Sequence, residues 1–184
     1  MTKPIRLAHI VFRTRDMQRM KDWYCTVLGA HVVNGNDNIA FLTYDDEHHR
    51  VALIQSDSFA PRPDGLSVGF YHSAFTYAGL RELIDTYDRL KALGITPRRT
   101  INHGPTMSIY YTDPDGNDVE LQVDRFADAL DAQEWMRGEA FTANPIGIEV
   151  DIEDIRTRLE RGDAFADIMR RPDEADADGA AQPA

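Results

Sequence analysis

Apolar and polar residues alternate at the start of the chain and then recur at a helical period. Over residues 5–14, one side of a predicted strand carries Ile5, Leu7, His9 and Val11, because successive side chains of a strand point to opposite faces. Helical spacing then predicts a helix over residues 16–28, which Gly29 ends. Turn residues divide the next stretch into three short predicted strands, at residues 31–33, 39–44 and 49–55. This part of the chain is therefore predicted to fold as a βαβββ module.

The same order of elements returns in the next part of the chain. The pattern predicts a strand at residues 68–75, a helix at 78–93 ended by Gly94, and strands at 96–100, 107–112 and 117–123. His72 lies 63 positions after His9 (72 minus 9), and each falls on the first predicted strand of its module. The sequence thus predicts an α+β fold with a structural repeat: modules at residues 5–57 and 66–124 within one domain, residues 1–125.

The rest of the chain has a different pattern. Residues 126–171 are predicted to form a helical C-terminal extension, interrupted at residues 144–147 and containing a second helix at residues 152–161. Residues 172–184 form an acidic tail with little to bury, which we expect to be disordered. The helical extension could close over the modules or bury a face between copies of the chain, so a homo-oligomer is one possible assembly.

Composition narrows the class of protein. The chain has 20 Lys and Arg against 31 Asp and Glu, a formal charge of −11, which repels a phosphate backbone and argues against nucleic acid as a partner. Its one cysteine, Cys25, excludes an intrachain disulfide and a zinc site of several thiolates. No apolar run approaches the ~20 residues of a membrane span, and the start of the chain lacks an apolar signal core. These features predict a cytoplasmic protein without a membrane partner.

Three side chains that could bind a metal stand at matching places in the two modules. His9 and His72 lie on the first strands, and Glu120 follows the turn Asp113-Pro114-Asp115-Gly116-Asn117 on the last strand. Paired βαβββ modules with this set resemble the vicinal oxygen chelate superfamily. The resemblance implies a cupped mixed sheet around a metal site, in which His9, His72 and Glu120 bind a divalent ion and leave open positions for substrate and O₂.

The hairpin that carries Glu120 has a register that follows from its turn. If the turn pivots on Asp115, opposed residues sum to 230, and Tyr110 lies opposite Glu120. One face is then polar and suited to an aqueous cup, with Ser108, Tyr110, Asp118, Glu120 and Gln122. The other face, which helices are expected to cover, carries Ile109, Tyr111, Val119, Leu121 and Val123.

Tyr110 and two histidines make the resemblance more specific. Extradiol catechol dioxygenases of this superfamily carry a tyrosine ten positions before the glutamate ligand, and here 120 minus 110 is 10. They also carry a histidine that matches His49 in the His48-His49 pair, and another upstream of the tyrosine, for which His103 is a looser match. The resemblance implies that O₂ cleaves a catechol ring at Fe(II), with Mn(II) as an alternative. It makes Tyr110 the residue that orients a substrate oxygen, His49 the proton relay and His103 a further catalytic candidate.

Two other functions of the same superfamily remain open at this point. A glyoxalase-I-like lyase or isomerase normally needs a fourth protein ligand, for which Gln55 is the candidate near the end of the fourth strand. A metal-free drug-binding module of the bleomycin-resistance kind would lack the ligand set. The joint presence of His49, His103 and Tyr110 favours the dioxygenase.

Overall fold

The computed structural model describes residues 1–62, 65 and 68–174, which fall into two compact units. The first unit comprises Met1–Tyr71 and Thr112–Asn117, and the second comprises His72–Tyr111 and the chain from Asp118 onward. From residue 175 onward the predicted acidic tail lies outside the described residues, as do residues 66 and 67 at the predicted start of the second module.

The first unit contains one helix and a four-stranded mixed sheet. Its elements are β1 (Ile10–Thr14), α1 (Met17–Leu28), β2 (His31–Gly35), β3 (Ile39–Thr43) and β4 (Val51–Gln55). The strand order is β1-β4-β3-β2, with β1 parallel to β4 and the other pairs antiparallel. Helix α1 begins where the Asp16 carboxylate accepts a hydrogen bond from the backbone of Arg19, and ends at Gly29, whose φ of 65° is left-handed.

The first strand is shorter than its alternating pattern predicts. Strand β1 begins at Ile10, so His9 immediately precedes it, and Leu7 is 75% exposed. The partner strand β4 begins at Val51, opposite Ile10, so the ladder has no partner for the preceding residues. His49, predicted to start the fourth strand, likewise lies just before β4. Both predicted site histidines of this module are therefore in connecting segments rather than in strands.

The second unit repeats the βαβββ order and extends it. Its elements are β5 (His72–Thr76), α2 (Leu80–Ala92), β6 (Arg99–Asn102), β7 (Thr106–Thr112) and β8 (Asp118–Asp124). They form a mixed sheet of order β5-β8-β7-β6-β9, in which β5 runs parallel to β8. Val119 and Leu121 of β8 are fully buried, and β8 contacts α2. The α+β prediction with two βαβββ modules is confirmed, with the strands in two mixed sheets.

Residues 126–174, here called the C-terminal segment, contain four short helices and one short strand. They are α3 (Ala129–Met136), α4 (Glu139–Ala143), β9 (Ile148–Glu149), α5 (Ile152–Arg161) and α6 (Phe165–Met169). The predicted interruption at residues 144–147 separates α4 from β9. Strand β9, which pairs antiparallel with β6, was not predicted, because two residues are too few to show a period. Among the described residues, no helix has both the length and the apolar character to cross a bilayer.

The turn between β7 and β8 is organised by one buried carboxylate. The backbone of Asp113 donates to the carbonyl of Asn117, and Gly116 closes the turn with a φ of 83°. The Asp113 carboxylate accepts from the backbone N–H groups of Asp115 and Asn117 at 3.0 and 2.8 Å. It also accepts from the hydroxyl of Tyr24 on α1 at 3.0 Å. Since 113 plus 117 is 230, the turn has the predicted register.

Candidate active site

Two predicted metal ligands meet on one face of the second sheet. In the parallel register of β5 and β8, His72 lies opposite Asp118 and Ala74 opposite Glu120, so His72 and Glu120 point to the same face. The Nε2 atom of His72 lies 2.9 Å from Oε2 of Glu120. Glu120 is only 5% exposed, and a buried carboxylate needs a positive or hydrogen-bonding partner.

Tyr110 and His103 stand beside this pair. The hydroxyl of Tyr110 lies 2.8 Å from Nε2 of His103, and the same nitrogen lies 3.8 Å from Oε1 of Glu120. Tyr110 is 2% exposed, and the guanidinium of Arg99 lies 4.6 Å from the centre of its ring. Burial lowers the pKa of His103 below its ordinary value, although the charge of Glu120 opposes that shift. His103 is therefore suited to act as a neutral imidazole.

The polar face of the hairpin is less open to water than the sequence suggests. Ser108, Tyr110, Asp118 and Glu120 are all buried. One reason is that polar and aromatic neighbours cover them: His103 reaches Tyr110, and Arg98 pairs with Asp118 at 2.8 Å. The prediction of an aqueous cup along this hairpin is therefore corrected to an enclosed polar cluster, in which charges interact more strongly than in water.

His9 and His49, the predicted site residues of the first unit, form a second group. Their rings are 4.3 Å apart, and the ring of His49 also lies 5.0 Å from that of Phe41. His9 is exposed and His49 is half-buried. Burial lowers the pKa of His49, and the neighbouring His9 contributes to the same shift. His49 is thus held neutral next to the candidate ligand His9.

Arg50, which was not predicted to be a site residue, fixes this group. Its Nη1 atom donates to the carbonyls of Leu7 and Ala8 at 2.8 and 3.1 Å, and its Nε donates to the Asp45 carboxylate at 3.0 Å. The arginine therefore ties the loop of residues 45–50, which contains His49, to the backbone that precedes His9. Its position directly after His48-His49 could have indicated this role. A charged side chain in a loop, however, usually faces solvent.

The second unit brings together His72, Glu120, His103 and Tyr110, and the first unit brings together His9 and His49. Across residues 1–62, 65 and 68–174, no three His, Cys, Asp or Glu side chains are grouped closely enough to form a complete metal site. The His72 and Glu120 pair nevertheless fits a divalent ion, since an imidazole nitrogen of a half-buried histidine and an oxygen of a buried carboxylate lie 2.9 Å apart. Imidazole and carboxylate are the donors of non-haem iron sites.

Gln55 occupies a different environment from that of a metal ligand. Its side-chain oxygen accepts a hydrogen bond from the backbone N–H of Met17 at 2.6 Å. Met17 is the first residue of α1, so the glutamine satisfies one of the amide donors left open at the start of that helix. Gln55 therefore has a structural role at the start of α1, which argues against it as the fourth ligand of a glyoxalase-like site.

The family model described as Glyoxalase/Bleomycin resistance protein/Dioxygenase superfamily matches residues 6–121. Biphenyl-2,3-diol 1,2-dioxygenase 2 of Rhodococcus globerulus is 45% identical over 152 residues, covering 82% of this chain and 80% of that protein. Biphenyl-2,3-diol 1,2-dioxygenase 3 of the same organism is 48% identical over 153 residues, covering 80% and 78%. The lactoylglutathione lyase structure from Agrobacterium tumefaciens, 22% identical, shares the fold with a TM-score of 0.53 over 66% of this chain and 96% of that one. The chain belongs to the Glyoxalase/Bleomycin resistance protein/Dioxygenase superfamily.

Proposed function

We propose that this chain is an extradiol dioxygenase that opens a catechol-type ring with O₂ at a mononuclear Fe(II) centre. The observation that carries the proposal is the pair of half-buried His72 and buried Glu120, with the hydrogen-bonded Tyr110 and His103 beside it. The relatives named biphenyl-2,3-diol 1,2-dioxygenases confirm the predicted reaction class. The metal, its ligands and the roles of individual residues are our proposal.

The metal ligands are His9, His72 and Glu120, and the paired modules of residues 1–125 act together as the catalytic domain. A metal ion with two positive charges would balance the buried carboxylate of Glu120, which is otherwise costly to hold away from water. Three protein ligands leave free positions for a bidentate diol and for O₂. When bound, Fe(II) or, as the alternative, Mn(II) supplies the electron transfer between diol and O₂ that no side chain here can provide.

Tyr110 and His103 provide a path for a substrate proton. The Tyr110 hydroxyl is within hydrogen-bonding distance of Nε2 of His103. A proton leaving a diol oxygen can pass to the Tyr110 oxygen while the tyrosine proton moves to Nε2 of neutral His103. The charge that develops on the substrate oxygen is then stabilised by a preorganised donor in an enclosed site, where such interactions are strong.

His49 is the second proton acceptor. Its lowered pKa leaves the ring neutral near pH 7. A neutral imidazole can accept a proton and later return it. Its place against the ring of His9 is the feature that supports this role.

The substrate is proposed to be a catechol with a bulky substituent, of the biphenyl-2,3-diol type, because two relatives are named for that diol. A ferrous ion and the lone thiol of Cys25 both suit a reducing compartment, so we place the protein in the cytoplasm. Its partners are the small-molecule diol and O₂, with neither nucleic acid nor membrane involved, and the assembly we propose to test first is a homo-oligomer.

Oxygen consumption tests the reaction directly. Iron-loaded protein is mixed anaerobically with catechol, 3-methylcatechol, 2,3-dihydroxybiphenyl or 1,2-dihydroxynaphthalene, and O₂ is then admitted. We expect one O₂ to be consumed for each diol, a visible ring-opened product, and both atoms of labelled O₂ in that product. Substitution of His72 by Ala should abolish the reaction. Substitution of His31, an exposed histidine on β2, should leave it unchanged and serves as the matched control.

A glyoxalase-like activity in place of O₂ consumption would contradict the proposal. If the loaded protein consumes no O₂ with any of these diols and instead isomerises the hemithioacetal of methylglyoxal and glutathione, the dioxygenase proposal is wrong. Nickel or zinc as the activating metal would point the same way.

A further inference from the structure

The C-terminal segment reaches the side chain of His103. Its Nδ1 atom lies 2.5 Å from the carbonyl oxygen of Ile146. A carbonyl can only accept a hydrogen bond, so Nδ1 must carry the hydrogen. In the neutral ring, Nε2 then presents a lone pair, and the Tyr110 hydroxyl donates to it. One backbone carbonyl of the C-terminal segment thereby determines which nitrogen of His103 accepts a proton.

Asn144 orients that carbonyl. Its side-chain oxygen accepts from the backbone N–H groups of Ile146 at 3.2 Å and Gly147 at 3.0 Å. Its side-chain nitrogen donates to the carbonyl of Gly147 at 2.9 Å. These three bonds close the loop of residues 144–147 around the asparagine and hold Ile146 with its carbonyl toward His103.

Arg171 ties this loop to the turn that carries His103. Its side chain is fully buried. Its Nη1 atom donates to the carbonyl of Asn144 at 2.9 Å and to that of His103 at 3.4 Å. Its Nη2 atom donates to the carbonyl of Ala140 at 2.5 Å. Asp173 balances the charge with a 2.6 Å bond to Nε. A planar guanidinium suits this task because its donors are fixed in a fork, which an ammonium group lacks.

The turn is also packed against the C-terminal segment. A Cβ at Gly104 would lie 1.8 Å from the ring of Trp135, and one at Gly147 would lie 2.4 Å from the carbonyl oxygen of Asn102. The Asn102 side chain in turn donates to the carbonyl of Met169 at 3.1 Å. The turn of residues 102–104 is therefore held by side chains and backbone from several parts of the segment.

We infer that the C-terminal segment is a positioning element of the active site, which fixes His103 with its hydrogen on Nδ1, and that Arg171 and Asn144 are positioning residues for that imidazole. The catalytic consequence rests on the proposed function. The buried Arg171 pairs with the half-buried Asp173, and an ion pair that is taken out of water does not by itself stabilise a fold better than apolar side chains. Its value here is that it connects two backbone segments in one geometry.

The tautomer can be measured without turnover. The full chain, with ¹⁵N-labelled histidine and diamagnetic Zn(II) in place of iron, is observed by long-range ¹H–¹⁵N NMR, and His103→Gln identifies the signals. We expect Nδ1–H in the wild type and a mixture of both tautomers in Asn144→Ala and Arg171→Lys. Asn144→Asp, which keeps the acceptor oxygen, should restore part of the Nδ1–H population. The control is Arg170→Ala, the exposed neighbour of Arg171.

Kinetics of the iron-loaded variants give the second measurement. For Asn144→Ala and Arg171→Lys we expect kcat to fall about tenfold with KM changed less than about twofold, because an imidazole in the wrong tautomer is a poorer acceptor but still leaves the substrate site intact. An Nε2–H tautomer in the wild type, or an unchanged tautomer in both variants, overturns the inference. If the tautomer shifts as expected while no diol is oxidised by the wild type, the proposed function fails and the positioning of His103 stands. Should Arg171→Lys fail to fold, Asn144→Ala decides the question.

Discussion

The two βαβββ modules share an order of elements but hold their site residues in different ways. In the second module, His72 and Glu120 lie on paired strands, and Glu120 and Tyr110 are buried. In the first module, His9 and His49 lie in the segments that precede β1 and β4, where they are exposed or half-buried. One repeat thus provides a largely buried cluster of hydrogen-bonded side chains, and the other provides two rings on connecting segments.

The difference follows from what covers each module. The second unit includes the C-terminal segment, which adds β9 to its sheet and packs against the turn of His103. The first unit instead relies on Arg50, which bonds to the carbonyls before His9. Preorganised groups on strands keep their geometry better than groups on loops. We therefore expect chemistry that needs fixed donors to depend on the second module, and proton transfer that tolerates movement to depend on the first.

The largest effect on this comparison should come from His49→Gln. If His49 of the first module is a proton relay, the variant should keep its metal and bind diol, yet its turnover should fall by roughly 10²- to 10⁴-fold. Because the pKa of His49 is lowered, the loss of wild-type activity that comes from protonating this ring should occur below pH ~6.5. Steady-state kinetics between pH 5 and pH 9 measure both. An unchanged rate across that range would make the first module a scaffold only.

Gly104→Ala tests how firmly the second module is held. The new Cβ would overlap the ring of Trp135, and the residue has a φ of 98°, so we expect the free energy of unfolding to fall by about 2 to 4 kcal/mol. Gly94→Ala is the matched control, since Gly94 has a φ of 76° and no atom within 4 Å of the added carbon. Urea denaturation of both variants isolates the contribution of Trp135. Equal losses would show that the segment is not pressed against this turn.

Tyr110→Phe removes one hydroxyl from the enclosed cluster. We expect kcat to fall about 10- to 100-fold, less than for His49→Gln, because His103 can still meet a substrate oxygen directly or through water. The KM for diol should rise only slightly. Stopped-flow measurement of ring opening under limiting O₂ gives the rate, and wild-type activity in the phenylalanine variant would remove Tyr110 from the proton path.

Tyr24→Phe should have the smallest effect. It deletes the hydroxyl that donates to the buried Asp113 carboxylate, which keeps its bonds from the backbone of Asp115 and Asn117. We expect the free energy of unfolding to fall by about 1 kcal/mol and the catalytic constants to stay within about twofold. A large loss of activity without loss of stability would mean that the β7–β8 turn controls the site rather than supporting it.

Sequence patterns identified the elements and the register of this molecule better than their ends and long-range contacts. The turn at residues 113–117 was predictable because its Asp, Pro and Gly residues act locally. The start of β1 was not, because it depends on where β4 begins. Arg171 was predicted to end the helical extension. Its burial could not be predicted, because the carbonyl oxygens that accept its hydrogen bonds lie 27, 31 and 68 residues away in the sequence. His103 could be identified as a candidate, but the carbonyl that sets its tautomer belongs to an unpredicted loop contact.

The most direct test of the account is the metal content of protein purified without oxygen. The wild type and His31→Ala should each hold about one Fe(II) or Mn(II) per chain, and His9→Ala, His72→Ala and Glu120→Ala should each lose it. Loss in the His72 and Glu120 variants but not in His9→Ala would confine the site to the second module. Stoichiometric metal in all three ligand variants would contradict the account.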